Sequence, residues 1–430
     1  GLGLGVPVVH GHVMAAARQL ERDLAPQPPG GAGHEHDGTG GGWHAFYNAA
    51  MQHEEPVSVP AGPQTGLRGQ ICQAIAEAGG WLPFDRYMAL ALYSPGLGYY
   101  ANDSRKFGAL PGSGSDFVTA PELTPLFGQA LSRQLRQAMV ATGTSQVWEF
   151  GAGSGALAAQ LLNALGSACS SYHIVDLSGT LRERQRETIA RLAPEAVDRV
   201  HWHDRLPEEI RGVVVGNEVL DAMPVQLLHW DGTQWLERGV VVQGEAFAWE
   251  DRPTPLRPPV EGPFVPGTTT EVHPQAEAFI RTLAERLTRG AAFFIDYGFP
   301  EAEYYHPQRT GGTLMCHRAH RADPDPLVDV GLKDITAHVN FTGIALAGQD
   351  AGLQVIGYTS QGRFLINCGL LELLPPAEAQ DAARLRDLAA VQKLVAEHEM
   401  GELFKVIGFC RGAELDDALG FAAGDRTHTL

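Results

Sequence analysis

The chain has 430 residues, 44% of them hydrophobic, enough to bury a sizeable core in one large domain or two. Its 32 Lys and Arg stand against 50 Asp and Glu, a formal net charge of −18, which argues against nucleic acid as a partner because phosphates call for a basic surface. Five scattered cysteines, an odd number, point to a reducing compartment and away from a disulfide framework, and no run of about 18 apolar residues marks a membrane span.

Residues 1–66 read as a loosely ordered extension. One helical stretch, roughly Val13–Leu24, precedes Gly- and Pro-rich sequence with His34, His36 and His44 at irregular spacing. The apolar start lacks a basic stretch before it, and acidic residues accompany Arg18 and Arg22. Neither a signal peptide nor a transit peptide is expected, which favours a cytoplasmic location.

Residues 67–144 read as a helical and loop-rich region capping the substrate side. Helices are expected at 67–78, 86–92 and 125–141, with the aromatic turn Tyr93–Tyr100 and the segment Ser115–Glu122 between them. From residue 145 to 411 strand and helix alternate, the pattern of a doubly wound α/β sheet. Strands fall near 146–150, 172–176, 199–202, 213–216, 292–296, 353–358 and 403–409, and helices near 179–192, 275–288, 335–351, 361–373 and 377–399. Two insertions interrupt the rhythm. Residues 225–266 alternate in period two, with Asp231-Gly232 as a hairpin turn, and end in a Pro-rich segment; residues 299–332 are loop-rich. A flexible tail is expected over 412–430.

The stretch Val147–Gly155 organises this pattern. An apolar run ends in Glu149-Phe150, and Gly151-Ala152-Gly153-Ser154-Gly155 leads at once into a helical sequence. Strand, tight glycine turn and helix make a nucleotide-type cradle: the glycines let a ligand approach the backbone, and the helix start offers N–H groups. The glycines alone do not decide between a nicotinamide dinucleotide and S-adenosylmethionine. Glu149 tips the balance, because a carboxylate at the turn repels a pyrophosphate but suits a cationic amino group and a sulfonium. Asp176, ending the next strand, suits ribose hydroxyls. Asn217 and Glu218 end the strand at 213–216, on the sheet edge where such folds bind ligands. Glu218 and Asp221 are the residue types to hold a nucleophile and take its proton. Ala152, Gly155, Asp204, Thr119 and Pro121 complete the candidate cofactor contacts. Cys316-His317, His320, His306 and His338 are too loosely spaced for a metal site, and no metal is expected.

These motifs resemble the MidA-like class I S-adenosylmethionine-dependent methyltransferases. The resemblance runs over residues 67–411. It rests on Tyr93-Ser94-Pro95 with Gly98-Tyr99-Tyr100, Asp116–Glu122 with Phe127-Gly128, Glu149–Gly155, Asn217–Pro224, Asp296-Tyr297-Gly298, Gly312-Thr313-Leu314, Asp334–Val339, and Gln361-Gly362 with Phe364-Leu365. It implies a Rossmann-like methyltransferase core with insertions, with Gly151, Gly153 and Asp176 on the cofactor. The mitochondrial members are complex I assembly factors, and for them it implies symmetric dimethylation of an arginine on a complex I subunit, in the mitochondrial matrix. Arginine fits the carboxylates Glu218 and Asp221, with Glu218 first as proton acceptor and His338 as a further candidate. Two positions depart from the family pattern: Asp176 stands in place of Glu, and Asn340 in place of Asp. The expected activity is methyl transfer to a protein substrate. A small-molecule methyltransferase, an assembly scaffold with a retained cofactor fold and, more remotely, a hydride-transfer enzyme are the alternatives.

Overall fold

The computed structural model describes residues 66–102, 119–176, 179–318, 321–374 and 382–430. The extension up to residue 65 with its expected helix and histidines, Ser115–Val118 and His320 lie outside the described residues.

In chain order the N-terminal elements are α1 (Leu67–Glu77), β1 (Leu82–Pro83), α2 (Phe84–Tyr93), α3 (Ala120–Leu123) and α4 (Leu126–Thr142). Next come β2 (Gln146–Phe150), α5 (Ala156–Leu165), β3 (Ser171–Val175), α6 (Gly179–Leu192), β4 (Val200–His203) and β5 (Ile210–Asn217). The insertion supplies β6 (Gln226–Trp230), β7 (Trp235–Gln243), β8 (Ala246–Pro253) and β9 (Thr269–Val272). After it run α7 (Pro274–Arg286), β10 (Leu287–Phe299), α8 (Glu301–Tyr304), β11 (Met315–Arg318), β12 (Arg321–Asp323), β13 (Asp334–Thr336) and β14 (Val339–Asn340). The last elements are α9 (Phe341–Asp350), β15 (Gln354–Ser360), α10 (Gln361–Asn367), α11 (Ala382–Val395), α12 (Met400–Leu403) and β16 (Phe404–Arg411).

The central sheet has the order β15-β16-β10-β5-β2-β3-β4, with β14 added beside the end of β10. From β10 through β4 its strands are parallel; β16 runs antiparallel to both of its neighbours, β10 and β15, so it alone is reversed. Strands such as β5 and β10 are buried on both faces, which is why they read as continuous apolar runs. Helices α4, α5, α6, α10 and α11 cover one face and α7 and α9 the other, with a hydrophobic cluster under each set. No helix among the described residues is long and apolar enough to cross a membrane.

The antiparallel insertion forms a second sheet, β1-β7-β6-β9 with β8 on β7. Helix α1 packs on it through Leu67, Ile71 and Ile75 and α2 through Phe84, Tyr87 and Leu92, and Phe84 and Tyr87 lie against Trp249 and Phe247. The N-terminal region is therefore split. Residues 67–102 join the insertion, whereas α4, expected within the cap, packs on the central sheet.

Three other segments differ from expectation. The helix expected over 335–351 starts only at Phe341, because Val339 pairs with Gly298 as β14 and the Asn340 side chain caps α9 by accepting the Gly343 N–H at 3.3 Å. Asn340, the departure from the family pattern, thus does a structural job. The 299–332 stretch holds α8 and the hairpin β11–β12. The tail, expected to be flexible, is packed: Leu415, Ala418 and Phe421 are buried in the main cluster, and the Phe421 ring lies over Gly357 and Gly408, where no larger residue would leave it room. The tail also bonds β15. The Asp425 carboxylate accepts the Tyr358 N–H at 2.9 Å, and the Arg426 N–H donates to the Tyr358 carbonyl at 2.6 Å.

Candidate active site

From β2 the chain winds outward through β3 to β4 and then returns to the other side of β2 as β5. Open α/β sheets bind ligands in the crevice at such a reversal. Two loops meet there, residues 151–155 after β2 and 217–221 after β5. Gly151 has φ 64°, and a Cβ on it would stand 2.9 Å from Val219 Cγ2, so a glycine lets the two loops touch.

On the β2 side the loop turns into α5 at Gly155, with φ 82° and the Gln185 Cα only 3.0 Å from where a Cβ would be. Among the described residues no side chain caps the start of α5, so its first N–H groups can serve a ligand. Gln185, on α6, fixes the surroundings. Its amide donates to Asp176 at 2.7 Å and to the Gly153 carbonyl at 3.3 Å, and it accepts from Trp202 at 3.0 Å. Nothing in the periodicity of α6 singles Gln185 out. Asp176 directly follows β3 and is 8% exposed, and Asp204 directly follows β4, the outermost parallel strand, and is exposed.

Glu149 lies beneath the loop and not on its rim. It is 2% exposed and accepts the Tyr172 hydroxyl at 2.7 Å. Burial pushes its carboxyl up to about 8, against the pull of the Tyr172 bond.

Residues 119–123 bridge the two loops. The Pro121 carbonyl accepts from Gln160 at 2.7 Å, Glu122 accepts the Ser154 hydroxyl, and the Ala120 N–H bonds the Glu218 carboxyl. Thr119 opens α3 in extended geometry, and Ala152 is buried within the glycine loop.

On the β5 side Glu218 takes a left-handed backbone, φ 54°. Its N–H bonds the Ile295 carbonyl at 2.8 Å, and the Asn217 amide donates to its Oε1 at 2.9 Å. The turn is held from below by Asp296, at the end of β10. One oxygen of that carboxylate accepts the N–H groups of Val219, Leu220 and Asp221 at 3.1, 2.9 and 3.3 Å. The neighbouring Tyr297 hydroxyl bonds one oxygen of Asp221; the other is buried with no hydrogen-bond partner among the described residues.

Glu218, Asp221 and Asp296 thus crowd one corner. Burial, then the Asp221 charge, pushes Glu218 up to about 8; burial raises Asp221 to about 6 and Asp296 well above its ordinary range. A corner of reluctant anions suits an incoming cation.

His338 stands one ring away. Its ring stacks on Phe299 and meets Tyr297 edge-on at 5.0 Å, and the His338 backbone N–H donates to the Thr313 hydroxyl at 3.1 Å. Burial, with Arg309 and Lys405 behind it, pushes the imidazole down to about 3. It is neutral at physiological pH and a weaker proton acceptor than Glu218.

The structure therefore brings Asn217, Glu218 and Asp221 together beside Gly151–Gly155 and Asp176. It sets His338 on a neighbouring wall, Glu149 under the floor and Asp204 at the rim.

Residues 130–359 match the model of a protein family described as "Putative S-adenosyl-L-methionine-dependent methyltransferase". The chain belongs to this family. Its cofactor is S-adenosyl-L-methionine, and the protein is a methyltransferase. A zebrafish (Danio rerio) relative, the mitochondrial protein arginine methyltransferase NDUFAF7, is 27% identical over 76% of this chain and 83% of its own length. The human protein of the same name is 28% identical, over 74% and 77%. A crystal structure from Burkholderia thailandensis, of a superfamily member inferred to be a methyl transferase and bound to S-adenosyl-homocysteine, is 52% identical with a TM-score of 0.81. It covers 87% of this chain and 100% of its own.

The methyltransferase crevice fits such a cofactor on its own chemistry. The positive-φ glycines open the backbone to a nucleoside, the uncapped start of α5 offers N–H donors to a carboxylate, and Asp176 offers acceptors to hydroxyls.

Proposed function

We propose that this methyltransferase acts on a protein, at arginine, with symmetric dimethylarginine as product. The observation that carries the reading is the pair Glu218 and Asp221, buried carboxyls set beside the glycine loop and lacking any fixed cationic partner among the described residues. A guanidinium presents two parallel N–H pairs to such carboxylates. Relatives named protein arginine methyltransferases support the same reading.

Gly151, Ala152, Gly153, Gly155 and Asp176 would hold the cofactor, with Thr119, Pro121 and Asp204 at its edges and Glu149 below. Bound there, S-adenosylmethionine supplies an activated methyl group on a sulfonium. The chain's own work is alignment and proton removal. Asn217 fixes the Glu218 carboxyl, and Asp296 fixes the backbone that carries it. Binding a cation draws the proton off Glu218, and the carboxylate so formed takes the proton that the guanidinium nitrogen loses as it is methylated. The reaction belongs in the cytoplasm, or in the mitochondrial matrix if the source is eukaryotic, with a respiratory complex I subunit as candidate substrate.

The test is to offer a methyl-labelled donor to a lysate freed of small molecules, and then hydrolyse the labelled protein. Labelled dimethylarginine supports the reading. Label in lysine alone, or only in added small molecules, overturns it.

A further inference from the structure

We propose that Tyr93 and Tyr100, held by Asp334, form a clamp that recognises the flat, delocalised cation of the methyl acceptor. This rests on the arginine reading above and names residues outside the methyltransferase crevice as its source of selectivity.

The two tyrosines come from the end of α2 and the turn after it. That turn is tight. The N–H groups of Gly98, Tyr99 and Tyr100 bond the carbonyls of Ser94, Ala91 and Leu92 at 2.7, 2.9 and 2.8 Å. A Cβ on Gly98 would stand 2.5 Å from the Ser94 nitrogen. Folding back in this way stacks the half-buried rings of Tyr93 and Tyr100, with centroids 5.6 Å apart and planes 21° from parallel.

Both rings are tied to the loop that carries the acceptor-side carboxylates. The Tyr93 hydroxyl donates to the carbonyl of Ala222, the residue after Asp221, at 2.8 Å. The Tyr100 hydroxyl donates to both oxygens of Asp334 at 2.9 Å. Asp334 opens β13, and just beyond that strand the Ala337 N–H bonds the Asp221 carbonyl at 3.0 Å. Asp334 also adds its charge to the field that raises Glu218 and both phenols.

The chemistry favours one class of ligand. Phenols that donate to a carbonyl and a carboxylate leave electron-rich rings, which attract cations. A guanidinium adds a flat π face that can stack on the outer side of the ring pair, since the rings cover each other's inner faces, and its N–H edge suits carboxylates such as Glu218 and Asp221; an ammonium has no such face. The clamp therefore separates arginine from lysine, whereas Glu218 and Asp221 alone would accept either. Tyr93 and Tyr100 contact the acceptor, and Asp334 is a positioning residue acting through Tyr100.

The probes are N-acetylarginine N-methylamide and its lysine counterpart, titrated calorimetrically into the whole protein saturated with S-adenosylhomocysteine. The wild type is expected to bind the arginine probe at least about tenfold more tightly than the lysine probe. Tyr100→Leu should weaken the arginine probe about tenfold and bring the two probes close together. Tyr100→Phe and Asp334→Asn should narrow the preference less. All three should keep their affinity for S-adenosylhomocysteine. If Tyr100→Leu fails to fold, the arginine-over-lysine ratio in Tyr100→Phe decides. An unchanged ratio in the variants that retain cofactor affinity, or a wild type without preference, overturns the clamp. A wild type that prefers the arginine probe yet methylates no arginine leaves the clamp standing and sinks the transfer reading.

Discussion

At Glu218 the backbone and the side chain are both held in states that folding alone would avoid. A left-handed φ of 54° at a non-glycine residue costs about 1–2 kcal/mol. The carboxyl is raised from 4.5 to about 8, so its neutral form is the one the free protein prefers. A raised carboxyl contributes stability that is fully present below pH 4.5 and lost as pH climbs through about 8. Glu218→Gln removes that titration. The variant should melt at the same temperature as the wild type near pH 4.5 and a few degrees above it at pH 9, as followed by calorimetry. It should also lose roughly a hundredfold or more in methyl transfer while keeping its cofactor affinity. The same carboxyl makes acceptor binding depend on pH. A cation pairs with the ionised form only, so affinity for an arginine probe should rise from pH 6 and level off above about 8. In buffers of differing ionisation enthalpy, titration calorimetry at pH 7 should show about one proton released per cation bound; a heat independent of buffer would count against a neutral Glu218.

At the scale of elements, the loop after β2 works because it contains positions that only glycine fits, and the loop after β5 because the Asp296 carboxylate of β10 ties its turn down. Gly155→Ala places a Cβ 3.0 Å from the Gln185 Cα at φ 82°. The strain of about 1–2 kcal/mol should appear as cofactor binding weakened about tenfold, with the protein still folded by circular dichroism. The sequence showed the glycine loop, the parallel strands and the Asn217-Glu218 turn because each is local: a hydrophobic period, a cluster of glycines, an acidic residue at a strand end. It did not show Gln185, whose three bonds run to β3, the glycine loop and β4, since a long-range partner leaves no trace in helical spacing. Asp296 was legible as a strand-end carboxylate, but its three N–H contacts lie more than seventy residues back in the chain. The helix expected from 335 failed because Asn340 caps at a point inside the apolar run, and periodicity alone does not see a cap. Glu149 was placed on the rim by its position in the motif; pairing of β2 with β3 turned it onto Tyr172 instead.

Across the whole molecule the central sheet has two edges, β4 and β15, and the C-terminal tail closes the second. Phe421, 7% exposed, fills the space over Gly357 and Gly408, and Asp425 and Arg426 take up the outward N–H and C=O of Tyr358. Phe421→Ala should cost about 3–5 kcal/mol in urea unfolding. Removal of residues 413–430 should leave a protein that associates through β15, seen as concentration-dependent light scattering. The order of synthesis gives this closure a temporal side. Residues 413–430 leave the ribosome after the strands they cover, so the β15 edge stands open for an interval in every round of production. During that interval the nascent chain offers an unpaired strand to its neighbours. Slowing translation across the codons for residues 413–430 should therefore lower the soluble yield without altering a single contact in the finished protein.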